Sequence, residues 1–204
     1  MTVIYIMMND KPGKIEEFFQ ITKEKPPSPL LEEAIIILNI KGWALDLGCG
    51  AGRDTKFLLD KGFRVTALDI SPQVSEYLKD FPHQENLDLI ISSFEDFNFE
   101  KEKYDLVNAQ LSLPFTNRDE FDEVFSKMKD SIKRGGIFVG QLFGVNDDWN
   151  KSKTTKMTFH TKEEAQVLFN NMELLKFIEK DYDGTIANGT PKHWHVFHII
   201  AQKK

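Results

Sequence analysis

Three glycines, Gly48, Gly50 and Gly52, alternate with Cys49 and Ala51 directly after an apolar run, Trp43-Ala-Leu-Asp-Leu47. Asp46 lies inside that run, and Asp69 ends the next strand-like run, Arg64-Val-Thr-Ala-Leu-Asp69. Glycine lacks Cβ, so such a turn lets backbone come close to a bound molecule. The residues after it, Arg53 to Gly62, read as a helix whose free N–H groups and positive dipole end point back at the turn. A carboxylate roughly 20 residues beyond a glycine turn is where a βαβ unit delivers an acceptor for ribose hydroxyls. The chemistry implied is the holding of a nucleoside-bearing cofactor. The spacing is Gly-x-Gly-x-Gly, because Arg53 stands where the last glycine of the dinucleotide fingerprint would fall.

Other stretches carry reactive or contacting groups. Asn108-Ala-Gln-Leu-Ser-Leu-Pro-Phe115 leaves a strand at its C-terminal end. In an open α/β sheet those ends form the ligand crevice. Gln110, Leu111 and Phe115 are therefore candidate contacts. Ser93-Phe-Glu-Asp-Phe97 follows another strand and reads either as a contact loop or as a plain exposed acidic loop. Gly144–Lys156 is polar, holds Trp149, and reads as a loop or lid. His160, His193, His195 and His198 gather near the end of the chain. On a strand, His193 and His195 face one side and His198 the other, so no one-sided metal triad forms and no metal is expected. His160 and His193 are candidates for facing a substrate; core or surface histidine is the alternative.

The elements that must position these groups alternate. Lys14–Lys25 and Leu30–Asn39 read as helices separated by Pro26-Pro-Ser-Pro29. Strands follow at Trp43–Leu47, Arg64–Asp69, Leu87–Ser92, Tyr104–Gln110 and Ile137–Phe143. Helices lie between them at Arg53–Lys61, Gln73–Asp80 and Asn117–Lys133, the second with Ser71 as its expected cap. Lys133-Arg-Gly-Gly136 reads as a turn, and Thr161-Lys-Glu-Glu164 opens a further helix as a capping box. Leu174–Lys180 and His195–Ala201 read as two final strands, with Asp183-Gly184 and Asn188-Gly189 as turn signals. Such alternation predicts an α/β fold: a mostly parallel sheet with helices on both faces.

Leu45-Asp-Leu-Gly-Cys-Gly-Ala-Gly52 resembles the first motif of the class I S-adenosylmethionine (SAM) dependent methyltransferases. Met157-Thr-Phe-His-Thr161 and Pro191–Ala201 resemble small bacterial methyltransferases grouped with the tellurite-resistance type. The resemblance implies a Rossmann-like, seven-stranded sheet with an antiparallel C-terminal strand. It also implies SAM as the cofactor and N-terminal helices, residues 1–40, as a cap, plain packing on the sheet being the alternative. Its implied cofactor contacts are the turn residues Gly48, Cys49, Gly50 and Gly52. Asp46 would hold the amino-acid end, or else order the loop, and Asp69 would clamp the ribose. Ile70, Phe94 and Glu95 would meet the adenine, with Gln110 or Leu111 near the methyl donor. Ser93 stands where these enzymes often carry an acid. Phe115, Trp149, His160 and His193 are candidate acceptor contacts. No catalytic residue is assigned, because the acceptor attacks the methyl directly and the cofactor brings the reactive group. Cys49 is expected as a buried small side chain, not a nucleophile. The segment after the fourth strand lacks the Asp/Asn-Pro-Pro-Tyr pattern, which counts against methylation of nucleobase amines.

Composition narrows the partners. The 204 residues suit one domain, 1–204, with 144–160 as its lid. The net charge of −6, with no long basic block, argues against nucleic acid. No apolar run is long enough to cross a membrane, and Met1–Asp10 lacks the features of a signal peptide. The lone Cys49 rules out an internal disulfide and points to a reducing cytoplasm. The reading is a methyltransferase for a small-molecule acceptor, monomeric or homodimeric. Its rivals are a dinucleotide-binding oxidoreductase and an inactive SAM-binding regulatory subunit.

Overall fold

A computed structural model describes residues 14–152 and 156–204. The expectation for Met1–Asp10 lies outside the described residues. Two helices come first, α1 at Lys14–Thr22 and α2 at Pro29–Leu38. Pro29 at the start of α2 costs nothing, because a first-turn N–H has no helical partner. The alternating core follows: β1 at Trp43–Leu47, α3 at Arg53–Asp60, β2 at Arg64–Asp69, α4 at Val74–Leu78 and β3 at Leu87–Ile91. β4 at Tyr104–Ala109, α5 at Phe121–Ser131 and β5 at Ile132–Gly144 complete it. The chain then adds β6 at Phe159–His160, α6 at Lys162–Val167, β7 at Met172–Thr185 and β8 at Pro191–Lys203.

The sheet order is β3-β2-β1-β4-β5-β8-β7, and the short β6 pairs with β5 off that path. The first five strands are mutually parallel, while β8 runs antiparallel between β5 and β7. This is the mostly parallel sheet with an antiparallel C-terminal strand that the motifs imply. Strand alternation splits the apolar side chains between two faces. Leu45, Val107 and Phe138 pack with Phe121, Phe125 and Phe169 on one face. Ala44, Leu106, Ile137 and Ile200 pack with Leu31, Ala34 and Leu58 on the other.

Several local expectations change. The helix expected to reach Lys133 ends at Ser131, and Lys133–Gly136 falls inside β5. Ile132 is fully buried and already pairs with Tyr104, so the strand begins there. Asp183-Gly184 does not turn; these residues pair with His193 and Lys192 across the ladder. A Cβ on Gly184 would lie 3.2 Å from the Tyr182 ring and 3.3 Å from Trp194, so this glycine sits between rings. The hairpin turns at Asn188-Gly189, where the Gly189 N–H donates to Ile186 O and Asn188 Oδ1 accepts from the Thr190 N–H. Ser71 does not cap α4, which has Gln73 at its cap position. Thr161 and Glu164 do form the expected capping box.

Gly140, at the middle of β5, abuts the β4 backbone. A Cβ there would lie 2.4 Å from the Ala109 carbonyl oxygen. Gly140→Ala is therefore expected to destabilise the fold by about 1–3 kcal/mol, as overpacking does. Thermal unfolding checks it; an unchanged midpoint would mean the sheet centre is looser than described.

Candidate active site

The site begins at the C-terminal end of β1. The Gly48 and Cys49 N–H groups both donate to Leu68 O, at 2.8 and 3.1 Å, which binds the turn to β2. Gly48 has φ 74°, and a Cβ there would lie 2.5 Å from Ser112 Cβ. Gly50 has φ 53°, and its Cβ direction is open except for Phe19 at 3.6 Å. Asp69 fixes the turn from the other side. Its Oδ2 accepts from the Gly50 N–H and its Oδ1 from the Ser71 N–H, each at 2.9 Å. A carboxylate oxygen has room for a second donor, so both remain able to accept from a ligand hydroxyl. Burial raises the Asp69 pKa from its ordinary value, opposed by its backbone hydrogen bonds.

Beneath the turn lies a chain of buried polar side chains. Thr55 Oγ1 donates to Asp46 Oδ2 at 2.6 Å, and Asn108 Nδ2 donates to Asp46 Oδ1 at 2.8 Å. Gln110 Nε2 donates to Asn108 Oδ1 at 2.7 Å. Gln110 Oε1 then accepts from both Gln141 Nε2 and Ser28 Oγ, each at 2.8 Å. Gln141 Oε1 accepts from the Leu111 N–H at 2.8 Å, holding Leu111 at the left-handed φ of 54°. Gln141 Nε2 also lies 3.5 Å from His198 Nδ1. Burial, and then the neighbouring Asp54 charge, push the Asp46 pKa up to about 7.

These groups open onto a cavity of about 780 Å³. Asp46, Gly48, Cys49, Gly50, Asp69 and Ile70 line it, with Phe94, Gln110 and Leu111 beside them. Ile15, Phe18 and Phe19 of α1 also line it. Tyr77 anchors that helix: its ring meets Phe19 edge-on at 5.2 Å, and its hydroxyl donates to Glu16. Phe115 and Trp149 lie in the wall with Phe143 and Trp194. The Trp149 ring is 5.7 Å from Phe115, 5.6 Å from Phe143 and 5.6 Å from Trp194.

Four sequence candidates lie outside this cavity. Gly52 begins α3, and a Cβ on it would meet Leu78 and Phe81. Glu95 accepts from the Asn117 N–H and so holds a loop. His160 is buried against Phe121, with ring centroids 5.0 Å apart, and burial lowers its pKa. His193 bridges Asp183 and Asp181, whose hydrogen bonds raise its pKa. Conversely, Gln141, Phe143, Trp194, Val196 and His198 line the cavity without having been assigned to it from sequence. A signal for Gln141 existed, since a lone amide inside the apolar run Ile137–Phe143 is the informative exception in a buried strand.

An open sheet of this order, with a glycine turn after β1 and an acid at the end of β2, defines the class I SAM-dependent methyltransferase fold. Residues 44–136 match the methyltransferase domain family. Malonyl-[acyl-carrier protein] O-methyltransferase of Acetivibrio thermocellus is 29% identical over 148 residues, which are 69% of this chain and 51% of that protein. The probable SAM-dependent methyltransferase TehB of Haemophilus influenzae is 27% identical over 164 residues, 78% of this chain and 57% of that protein. The crystal structure of Haemophilus influenzae TehB superposes with a TM-score of 0.70 at 22% identity, covering 86% of this chain and 61% of that one. Burkholderia thailandensis 1,6-didemethyltoxoflavin-N1-methyltransferase, solved with its named substrate and S-adenosylhomocysteine, superposes at 0.69 with 16% identity, covering 99% of this chain and 89% of that one. The chain spans about half the length of the curated relatives it matches. Its fold is that of the class I SAM-dependent methyltransferases, and the chain is similar to TehB over most of its length.

The raised Asp46 pKa makes a prediction for the ligand-free protein. The folded state holds this proton up to about pH 7, whereas an unfolded carboxyl releases it near 4. Asp46 therefore contributes stability that is full below about pH 4 and lost as pH rises through 7. Asp46→Asn removes that contribution. Between pH 5 and 8 the melting temperature of the variant should fall less, or rise more, than that of the wild type. Parallel pH profiles would show that Asp46 does not titrate there.

Proposed function

We propose that the chain transfers a methyl group from SAM to a small, uncharged acceptor by direct in-line displacement. One observation carries this reading: the cavity is continuous from the glycine turn and Asp69 to the aromatic wall of Phe115, Phe143, Trp149 and Trp194. The residues fit the cofactor. The open Cβ direction at Gly50 leaves room for a ligand against the backbone. The Asp69 oxygens can accept from two ribose hydroxyls, and Ile70 and Phe94 offer apolar surface for an adenine. Asp46 and the turn would hold the amino-acid end. When bound, the cofactor supplies an electrophilic methyl on a positively charged sulfur. The protein orients the acceptor and keeps water away, which is the work of the aromatic wall and of Phe18 and Phe19.

The chain acts as one catalytic unit in this reading, with α1 and α2 as its cap and 144–160 as a cover over the acceptor. It is expected to serve as a monomer or homodimer in the cytoplasm, without a nucleic-acid partner. No helix among the described residues is long and apolar enough to cross a membrane. The oxidoreductase reading is disfavoured by the glycine spacing. The regulatory-subunit reading is disfavoured by a cavity that continues well past the turn.

Titration calorimetry tests the reading. SAM and S-adenosylhomocysteine should bind, and a nicotinamide dinucleotide should not. Asp69→Ala should weaken SAM by ~1.5–3 kcal/mol, the worth of hydrogen bonds to a charged group. Dinucleotide binding without SAM binding would reverse the assignment, and an unchanged SAM affinity in Asp69→Ala would remove this residue from the ribose.

A further inference from the structure

We infer that the aromatic part of the cavity receives a flat, uncharged acceptor bearing one O–H, S–H or N–H group, and that the His198 imidazole accepts the proton of that group. This rests on the methyl-transfer reading and goes further by naming the acceptor class and a catalytic residue.

The flat shape follows from the walls. Phe115, Phe143, Trp149 and Trp194 present ring surfaces within about one ring's reach of each other, and Val196 adds an aliphatic contact. Aromatic rings pack offset or edge-on, which suits a planar guest.

The lack of charge follows from what lines the cavity. Its charged residues among those described are Glu17, Lys25, Asp46, Arg53, Asp54 and Asp69. They come from the N-terminal segment, β1, α3 and the end of β2; none comes from the elements carrying the rings. An anionic acceptor would find no cation there, and a cationic one would find no carboxylate. Ring faces alone can hold a cation. Here the protein has placed its own: Lys192 Nζ is 3.6 Å from the Trp194 ring centroid and 4.2 Å from that of Trp149. That ammonium is buried and paired with Asp147. Lys192 thus takes the ring faces that could hold a cation, and its pairing with Asp147 leaves no net charge to draw an anion.

His198 is the basic side chain on this wall. Its register partners are Gln141 on β5 and Ile178 on β7. Gln141 contributes an amide and no titratable group. Lys176 and Lys180 of β7 are the charged neighbours, and Glu33 of α2 pairs with Lys176. Burial first, then the Lys180 and Lys176 charges, lower the His198 pKa to about 4. The ring is therefore neutral throughout the neutral range, and its one lone pair faces the Gln141 amide at 3.5 Å, a contact too long to hold it. A base this weak suffices, because an attacking O–H, S–H or N–H becomes far more acidic as its heavy atom shares a lone pair with the methyl. In the proton step the X–H bond breaks and its electron pair stays on X. A new N–H bond forms on His198, and the imidazolium then releases the proton to water. The polar chain from Gln141 through Gln110 and Asn108 to Asp46 fixes this wall relative to the cofactor turn.

The probes are 2-naphthol, its methyl ether 2-methoxynaphthalene, and naphthalene-2-sulfonate. Binding is read by tryptophan quenching in protein saturated with S-adenosylhomocysteine. The wild type should bind 2-naphthol at least about tenfold more tightly than the sulfonate. His198→Gln should weaken 2-naphthol by about threefold to tenfold, the worth of one hydrogen bond, and leave the methyl ether unchanged. With SAM, formation of 2-methoxynaphthalene should fall about a hundredfold in His198→Gln, while S-adenosylhomocysteine affinity holds. His198→Asn, scored the same way, covers a failure of the first variant to fold. Equal weakening of both probes would mean that His198 only shapes the wall. Failure of 2-naphthol to bind, tighter sulfonate binding, absence of product from the wild type or equal rates would each overturn the proposal. If S-adenosylhomocysteine itself does not bind, the methyl-transfer reading falls, and this proposal with it.

Discussion

A carboxylate buried under a glycine turn sets the terms for the rest of this molecule. Asp46 sits in the middle of the sheet with both oxygens occupied, one by Thr55 and one by Asn108. A buried charge or polar group left unpaired is costly, so its donors are tightly constrained. Thr55 belongs to α3 and Asn108 to β4, so satisfying one side chain fixes the helix after the turn and the neighbouring strand together. Asn108 is then held by Gln110, and Gln110 by Gln141 and Ser28. The result is a polar seam that crosses β1, β4 and β5 and reaches the N-terminal segment.

What this seam positions is a cavity with two unlike ends. At the first, Asp69 and the turn glycines offer backbone and carboxylate groups suited to a nucleoside. At the second, rings from β5, β8 and the turns around Phe115 and Trp149 form an apolar wall. The buried Lys192–Asp147 pair stands behind that wall and joins the 144–152 segment to β8. Breaking such a pair leaves a buried charge alone, which is far more costly than losing an exposed ion pair. α1 lies across the nucleoside end, tied to α4 through Tyr77, Glu16 and Gln20.

The sequence made the first end legible and hid most of the second. Gly48, Gly50 and Asp69 are joined by one βαβ unit, so local spacing and alternation were enough to group them. The aromatic end is assembled by pairing β5 with β8, whose partners are distant in sequence; Gln141 meets His198 only because of that register. His160 and His193 stand out in the sequence as reactive types near other histidines. Yet the face each strand residue occupies decides access, and His198, on the alternate face from His193, is the one that lines the cavity. The residue types of Asp183-Gly184 suggest a turn, whereas Gly184 answers to the rings of Tyr182 and Trp194 on either side. Glu95 is a contact candidate by its place after β3, and one of its carboxylate oxygens accepts from the Asn117 N–H. Long-range packing, which no local pattern encodes, decided each of these cases.

The most direct measurement is a crystal structure of the protein with S-adenosylhomocysteine. If the cavity works as proposed, the ribose hydroxyls will lie within hydrogen-bond distance of Asp69, and the sulfur will face the wall that holds His198 and Trp194. Ordered ligand outside this cavity, or a sulfur turned away from the aromatic wall, would contradict it.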